Sequence, residues 1–532
     1  MCRTAISSVI IGLGLIGHAL AQESAVLSVN DLNGQNGFSM HGLNPVDWLG
    51  YKVSDAGDIN DDGVDDIAIS ALKHDGGGDE AGAVYVIFGT DQGSSANVDL
   101  STLDGSNGFM LMGESADDDF GSSISNVGDI NGDGVNELAI SAYDAETPGL
   151  VRNGITYVLY GRASYPPVVS LSTFEGSRGG FTIHGRFAGD RASDVSAAGD
   201  FNSDGFADLI VGTLAFDPGT TNAGAAYVVF GTSRGFPAVF DLDDINGRNG
   251  VAFWGEAGGD IAGYKVSAAG DLGGDGSDDV MITAYNESTN GANSGAVYVV
   301  YGEMQAWPAV VQLYDLDGSN GFKLMGEDDL NHLGLSISGM GDFNADGNDD
   351  ILMGAHINNA DTTIYFQTYV LFGPLDTMAA SQSIDAVADL VIKTPTTSYH
   401  NDAFFDTSFV GDLNGDGITD LAINDPRNSE VGNDSGAVYV VYGAHDFGAT
   451  EILADQLAAG DGLKILGGNW NDLLGNAVST AGDVNHDGID DLLVGAHMTD
   501  NIGTDSVDSN VGSAYVIYGN DATFRDGFEE MQ

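Results

Sequence analysis

Positive charge is scarce in this chain of 532 residues, which has 16 lysines and arginines against 79 aspartates and glutamates. The formal net charge is −63. Nucleic acids and anionic membrane surfaces are bound through clusters of lysine and arginine, so this composition argues against both as partners. Apolar residues still make up 42% of the chain. The acidity therefore belongs to a folded protein with a large core and not to a disordered acidic tail.

Cysteine is almost absent, and the single one, Cys2, lies in an N-terminal segment with the features of a secretory signal. Arg3 gives this segment a positive start, an apolar run covers residues 5–17, and Ala19-Leu20-Ala21 provides a small-x-small cleavage pattern. We expect residues 1–21 to be a signal peptide and the protein to be secreted, held at the cell surface or periplasmic. A mature chain without cysteine has no disulfides, so core packing or metal ions must stabilise it.

Long apolar segments and helical periodicity are missing as well. The N-terminal apolar run is shorter than the ~20 residues that a spanning helix needs, so we expect no transmembrane segment in the mature chain. Glycine is abundant instead, with 78 residues, which indicates many tight turns.

One acidic motif, D-x-N-x-D-G-x-x-D or a near variant, occurs seven times. The spacings between successive copies are 71, 71, 71, 71, 70 and 71 residues. Each unit also repeats strand-like flanks, such as the Tyr-Val-Ile-Phe-Gly segment at 85–89. The copies begin at Asp58, Asp129, Asp200, Asp271, Asp342, Asp412 and Asp483.

Seven units of about four short strands predict an all-β fold, a seven-bladed β-propeller of four-stranded blades. The propeller would occupy residues 24–520 and leave a tail at 521–532. A calcium-binding β-helix would need a far shorter repeat, and separate sandwich domains would need ~100 residues each. Residues 27–42 copy a strand that precedes the motif in the other units. We therefore predict that the N-terminal strand near Phe38 and Met40 completes the last blade and closes the ring.

The spacing of oxygen-bearing residues in the motif predicts calcium loops. Positions 1, 3, 5 and 9 offer side-chain oxygens, position 7 offers a backbone carbonyl, and glycine at position 6 allows a sharp turn. Metal-free turns are the alternative, since Asp, Asn and Gly favour turns, but three carboxylates within nine residues repel without a cation. An EF-hand is excluded because position 12 is apolar in every copy. The candidate ligands are Asp58, Asn60, Asp62, Val64 and Asp66; Asp129, Asn131, Asp133, Val135 and Glu137; Asp200, Asn202, Asp204, Phe206 and Asp208; Asp271, Asp275, Ser277 and Asp279; Asp342, Asn344, Asp346, Asn348 and Asp350; Asp412, Asn414, Asp416, Ile418 and Asp420; and Asp483, Asn485, Asp487, Ile489 and Asp491.

Two loops depart from the pattern. Gly273 replaces the position-3 Asn of the fourth loop and removes a ligand, whereas Glu137 replaces the closing Asp of the second loop with a longer carboxylate. We expect up to seven Ca²⁺ ions, with the weakest site at Asp271.

The units resemble the FG-GAP repeats of integrin α-subunit propellers and their bacterial relatives. The name-giving Phe-Gly stands at Phe120-Gly121, and the Gly-Ala-Pro element is degenerate, as in Gly354-Ala355-His356. The resemblance implies calcium loops in hairpins on one face of the propeller and ligands bound largely from the other face. It also implies adhesion, by analogy alone.

No catalytic constellation is found, and we expect the protein not to be an enzyme. Residues 231–235 match G-x-S-x-G, but no helix pattern follows them, so a turn is the better interpretation.

The leading hypothesis is an exported, monomeric, calcium-stabilised module that binds an extracellular protein or glycan ligand. A carbohydrate-binding lectin is the second, and aromatic-lined pockets recurring between blades would indicate it. A hydrolase in the central channel is the third, and it would require convergent His, Asp or Ser side chains on the inner strands.

Overall fold

The computed structural model describes residues 25–171, 174, 179–215, 222–304, 306–358, 364–395, 405–500 and 509–520. The expected signal peptide and the 521–532 tail lie outside the described residues. Within the described ranges, no helix has the length and apolar character needed to cross a bilayer.

Seven five-stranded sheets form the molecule, and the sequence order of the units is the order of the blades. In each blade the strands are named from the innermost to the outermost. Blade 1 contains Leu49–Gly57, Asp66–Ala71, Ala83–Ile87, Gly108–Met112 and Val168–Ser170; blade 2 contains Phe120–Asn126, Leu138–Ala142, Ile155–Leu159, Gly180–His184 and Val239–Asp241; blade 3 contains Ala192–Gly199, Asp208–Thr213, Ala225–Val229, Gly250–Trp254 and Val310–Gln312; blade 4 contains Ala262–Gly270, Asp279–Ala284, Ala296–Val300, Gly321–Met325 and Ser381–Ser383. Blade 5 contains Ile337–Gly341, Asp350–Asn358, Ile364–Leu371, Leu390–Pro395 and Glu451–Leu453; blade 6 contains Thr407–Gly411, Asp420–Asp425, Ala437–Val441, Gly462–Leu466 and Ala25–Ser28; blade 7 contains Val478–Gly482, Asp491–Ala496, Ser513–Ile517, Gly37–His41 and Asn97–Val98.

Helix within the described residues is limited to single turns. These are the 3₁₀ turns Val29–Asp31, Leu100–Thr102, Leu242–Asp244, Leu313–Asp315 and Ala454–Gln456, and the α-helical turn Ile384–Val387.

The second and third strands of each blade are apolar because neighbouring blades cover both of their faces. In blade 1, Asp66–Ala71 and Ala83–Ile87 are buried at every position. The buried residues group into seven clusters, each shared by two adjacent blades. Continuous apolar runs therefore mark these strands, where a sheet with one solvated face would show alternation.

A short fifth strand lies on the outer edge of each blade, beyond the four predicted strands. It runs parallel to the fourth strand, and six of the seven come from the connection that leads to the fourth strand of the next blade. In blade 6 the N-terminal segment Ala25–Ser28 takes this place. Segments of two to four residues are too short to show an alternating pattern, so the sequence did not reveal them.

The N-terminal strand closes the ring, as predicted. Gly37–His41 pairs antiparallel with Ser513–Ile517, with Phe38 opposite Val516 and Met40 opposite Ala514. The innermost strands of successive blades contact one another around the ring, including those of blades 1 and 7. Residues 25–41 therefore join blades 6 and 7 to the start of the chain.

Replacing Phe38 with Ala tests this closure. Phe38 is 3% exposed, so Phe38→Ala should cost about 3–5 kcal/mol of unfolding free energy, as large cavities in a core do. Phe109→Ala is the matched control, because Phe109 has the equivalent position in the fourth strand of blade 1. Denaturant unfolding should give similar losses for both variants, and a silent Phe38→Ala would show that the N-terminal strand does not hold the ring together.

Candidate metal sites

The seven acidic motifs form the hairpin loops between the first and second strands of the blades, so all of them lie on one face of the propeller. Position 1 is half-buried, position 5 is exposed and position 9 is buried in every copy. Each loop thus holds three carboxylates within nine residues, and these lie at depths that range from the surface to the core.

The carboxylates at positions 1 and 5 fold the loop around themselves. In all seven copies, position 1 accepts the position-5 N–H through Oδ1 at 2.9–3.0 Å. It accepts the position-6 N–H through Oδ2 at 2.6–2.9 Å. The position-5 carboxylate accepts the position-7 N–H at 2.9–3.2 Å. The loop backbone is therefore arranged by its own acidic side chains.

Glycine at position 6 meets a conformational requirement and not a spatial one. Its φ lies between 86° and 93° in all seven loops, in the left-handed region that only glycine adopts without strain. A Cβ added at any of these glycines would meet nothing within 4 Å.

The position-9 carboxylate ties the loop to the third strand. Asp66 is fully buried, and its Oδ1 accepts the N–H of Gly89 at 3.0 Å while its Oδ2 accepts the N–H of Ile59 at 3.1 Å. The bond to the glycine after the third strand recurs at 2.7–2.9 Å in blades 3 to 7. A Cβ on this glycine would overlap the carbonyl oxygen of the position-8 residue in every blade. The Gly that ends each third strand is therefore part of the site, a role that its recurrence in the sequence could have indicated.

Burial also changes the ionisation of the position-9 groups. Loss of solvent raises the pKa of Asp66 to about 8, the Gly89 N–H opposes this, and the charges of Asp62 and Asp58 add to it. The same causes raise the pKa of Glu137 and of Asp279 to about 8 and that of Asp491 to about 9. These pKa values show how unfavourable three neighbouring carboxylates are without a counter-charge.

Several oxygens at the loop centres have no hydrogen bond. Within the described part of the chain, the Oδ1 atoms of the position-3 residues Asn202, Asn414 and Asn485 are buried and lack a donor. In the second loop, carboxylate oxygens of Asp129, Asp133 and Glu137 lie within 4.8 Å of one another. Amide oxygens without a donor and carboxylate oxygens that converge are both suitable ligands for a hard cation.

The fourth loop lacks this position-3 oxygen. Gly273 has no side chain there, and its N–H donates to Asp279 Oδ2 at 3.1 Å. The position has room for a side chain, because the nearest atoms to a built Cβ lie 3.9 Å away.

Position 8 links neighbouring loops, a role that the motif did not reveal. The carboxylate of Asp278 in blade 4 accepts the N–H of Asp200, the first residue of the loop in blade 3, at 2.7 Å. The same bond joins Asp349 to blade 4 at 3.2 Å, Asp490 to blade 6 at 2.8 Å and Asp65 to blade 7 at 3.0 Å. A position-8 carboxylate thus connects four of the seven pairs of neighbouring loops, including the pair across the ring closure.

The inner strands hold a separate set of polar groups. Lys265 Nζ lies 2.9 Å from Asp194 Oδ1, and the N–H of Val266 donates to Asp194 Oδ2 at 3.0 Å. The hydroxyls of Ser123 and Ser338 accept N–H groups of the next blade at 3.3 and 3.2 Å. These inner-strand groups therefore join blades.

Fold and loops together define a seven-bladed β-propeller with acidic hairpins on one face. The FG-GAP repeat family profile matches residues 120–159, 193–229, 262–300, 404–441 and 474–517, so five of the seven units are FG-GAP repeats. The chain thus contains five FG-GAP repeats within a seven-bladed propeller, and the sequence predicted both the repeat and the fold.

Proteins similar to this chain include phospholipases D and an integrin α subunit. Phosphatidylinositol-glycan-specific phospholipase D of Dictyostelium discoideum is 28% identical over 58% of this chain and 32% of its own length. The human protein of the same name is 26% identical over 75% of this chain and 46% of its own. Integrin alpha-V of Gallus gallus is 31% identical over 36% of this chain and 17% of its own. The chain therefore spans less than half of the length of each of these relatives.

The buried position-9 bonds generate a prediction for the metal-free protein. In chelator, Asp66→Ala should cost about 3 kcal/mol of unfolding free energy, because two buried N–H groups lose their acceptor. Asp58→Ala in the same loop should cost less, since water can reach the N–H groups of Asp62 and Gly63. Denaturant unfolding of both variants in EDTA measures the difference, and equal losses would argue against a structural role of the buried carboxylate.

Proposed function

We propose that this protein is an exported, calcium-binding β-propeller that serves as a binding or adhesion module for an extracellular protein or glycan ligand. The observation that supports it most is the seven-fold recurrence of three carboxylates in one loop geometry, with five of the seven loops inside FG-GAP repeats. Calcium would hold the hairpin loops of the blades, and the ring would act as a rigid monomeric platform.

The donor set favours calcium over other cations. Carboxylate, amide and backbone carbonyl oxygens are ligands of hard cations, and a loop with several ligands suits the larger, more flexible coordination of Ca²⁺ better than that of Mg²⁺. A bound divalent ion would supply the positive charge that keeps the position-9 carboxyls ionised. The chain's own part is to position the oxygens through the N–H bonds inside each loop.

A binding role agrees with the inner strands better than a hydrolytic one. On these strands, Ser123 and Ser338 accept backbone N–H groups, and Lys265 forms an ion pair with Asp194. A serine–histidine contact does occur in blade 7, where His41 Nδ1 lies 2.7 Å from Ser513 Oγ, but Ser513 is fully buried. Similarity to integrin alpha-V supports extracellular ligand binding, and similarity to a phospholipase D keeps an enzymatic role as the alternative.

The lectin hypothesis is the second candidate, and one observation favours it. Cavities recur on the loop side of blades 3, 4 and 1, with volumes of about 990, 520 and 140 Å³. Each is lined by the aromatic residue that follows the third strand, namely Phe230, Tyr301 or Phe88. Aromatic rings beside polar loop groups are typical of sugar sites.

Chelation and one substitution test the calcium sites. EDTA should lower the melting temperature, because each site stabilises the fold by about 2.7 kcal/mol at a calcium concentration of 100 Kd. Gly273→Asn should tighten the fourth site about tenfold, since it restores the missing ligand in open space. Gly273→Ala is the control without an oxygen, and calorimetric titration should show no tightening. An unchanged melting temperature in EDTA would contradict calcium binding.

A glycan array and a panel of extracellular proteins test the binding role. The full chain should bind members of one panel, and binding should fall in EDTA if the loops order the binding surface. A glycan-only result would favour the lectin and a protein-only result the adhesion module. Turnover of a hydrolase substrate panel by pure protein would overturn both.

A further inference from the structure

The largest of the recurring cavities, which we call the blade-3 pocket, combines phenylalanine and arginine side chains in an otherwise acidic molecule. It lies between the third acidic loop, the turn that follows the third strand and the start of the fourth strand. The turn is the G-x-S-x-G segment Gly231–Gly235, and the next element after it is the short strand Val239–Asp241 and not a helix. The motif that resembled a catalytic element therefore forms a pocket wall.

Aromatic side chains form the apolar part of the blade-3 pocket. Phe230 and Phe240 are buried beneath it, while Phe206 and Phe236 are half-buried and line it. Phe236 stacks on Phe181 with ring centroids 4.2 Å apart and planes 3° from parallel. The walls are therefore fixed by packing before any ligand arrives.

Two exposed arginines, Arg234 and Arg248, supply the positive charge of the pocket. Neither has a carboxylate within 4 Å among the described residues, whereas Arg186 is paired with Asp243 and Arg427 with Asp434. In a chain with 16 basic residues and a net charge of −63, two unpaired arginines in one cavity are an exception to the overall charge. Two acidic groups, Asp204 and Asp244, also line the pocket.

The equivalent cavity in blade 4 shows that the two arginines are particular to blade 3. A shift of 71 residues places Tyr301 at Phe230 and Trp307 at Phe236, so two of the four aromatic positions are kept, while Ser277 and Val311 stand at Phe206 and Phe240. The same shift places Glu303 at Thr232 and Ser319 at Arg248, and the sequence has Gln305 at Arg234. The blade-3 pocket thus has two arginines beside its two aspartates, whereas the lining of the blade-4 cavity has acidic residues and no arginine.

We propose that the blade-3 pocket binds an acidic saccharide, a sugar ring that carries a carboxylate or a sulfate. The guanidinium groups present forked donors that match planar or tetrahedral anions, and the phenyl rings offer surface to the C–H face of a sugar. Thr232 and Asn246 add polar atoms within reach of hydroxyl groups in the same pocket. The volume of about 990 Å³ accommodates a short oligosaccharide. This inference specifies the glycan ligand of the proposed function and rests on it.

Titration of the full chain in calcium buffer tests the pocket with four probes. These are a tetrasaccharide of alternating glucuronate and N-acetylglucosamine, a sulfated counterpart, a neutral N-acetylglucosamine tetramer and a phosphoserine peptide. Either or both acidic saccharides should bind, and the two arms tell carboxylate from sulfate recognition. Arg248→Ser and Arg234→Gln introduce the residues that blade 4 has at the equivalent positions. Each substitution should weaken that binding about tenfold.

Arg152→Gln is the matched control, because it removes an equal charge from an exposed arginine outside the pocket and should leave affinity unchanged. Melting temperatures of all variants report folding. Equal binding of acidic and neutral tetramers, unchanged affinity in the two pocket variants, or tighter binding of the phosphopeptide would overturn the proposal. A glycan array positive for neutral sugars alone would reject this pocket and leave the proposed function standing, whereas an unaltered melting temperature in EDTA would reject the calcium part of that function alone.

Discussion

The buried carboxylate at position 9 of each acidic loop is the interaction on which the blades depend. In blade 1, Asp66 receives N–H groups from Ile59 in its own loop and from Gly89 at the end of the third strand. One side chain thus holds the hairpin loop between the first two strands and joins it to the end of the third strand. Such an acceptor is costly to bury, as the pKa of about 8 shows. A bound cation would offset this cost, so the charge of the loop and the geometry of the blade are two aspects of one arrangement.

Neighbouring blades are joined through the residue at position 8, directly before the buried carboxylate. The position-8 carboxylates of Asp65, Asp278, Asp349 and Asp490 each accept an N–H from the first residue of the preceding loop. A cation that ordered one loop would therefore also affect the backbone at the start of the neighbouring loop. In blades 2, 3 and 6 position 8 holds Asn136, Ala207 and Thr419, so the chain of carboxylate bonds is interrupted there. Stability is then shared unevenly around the ring, as nearest-neighbour coupling in repeat proteins predicts.

Much of this arrangement could be predicted from the sequence, because repetition makes weak local signals strong. Seven copies at a spacing of 70 or 71 residues indicated the blades, and the displaced copy near Phe38 indicated the ring closure. The outer fifth strands were missed because a pair such as Asn97–Val98 carries no periodicity. The links through Asp278 and its equivalents were missed because the partner is a backbone N–H of another blade, which no motif records. Whether the loops hold calcium stays a prediction, since ligand spacing alone does not decide occupancy.

Divergence between repeats is the remaining source of specificity in a fold whose units share one frame. The residues that hold the frame, such as Gly231 and Gly302 at equivalent positions, cannot vary without overlap with the backbone. Residues that face the cavities are free of this constraint, and there Arg248 in blade 3 stands where blade 4 has Ser319. The net charge of −63 therefore describes the molecule poorly at close range. At physiological ionic strength, salt screens the electrostatic interaction between exposed charges over roughly 8 Å. A ligand in one pocket therefore interacts more strongly with the arginines of that pocket than with the acidic residues of the remaining surface.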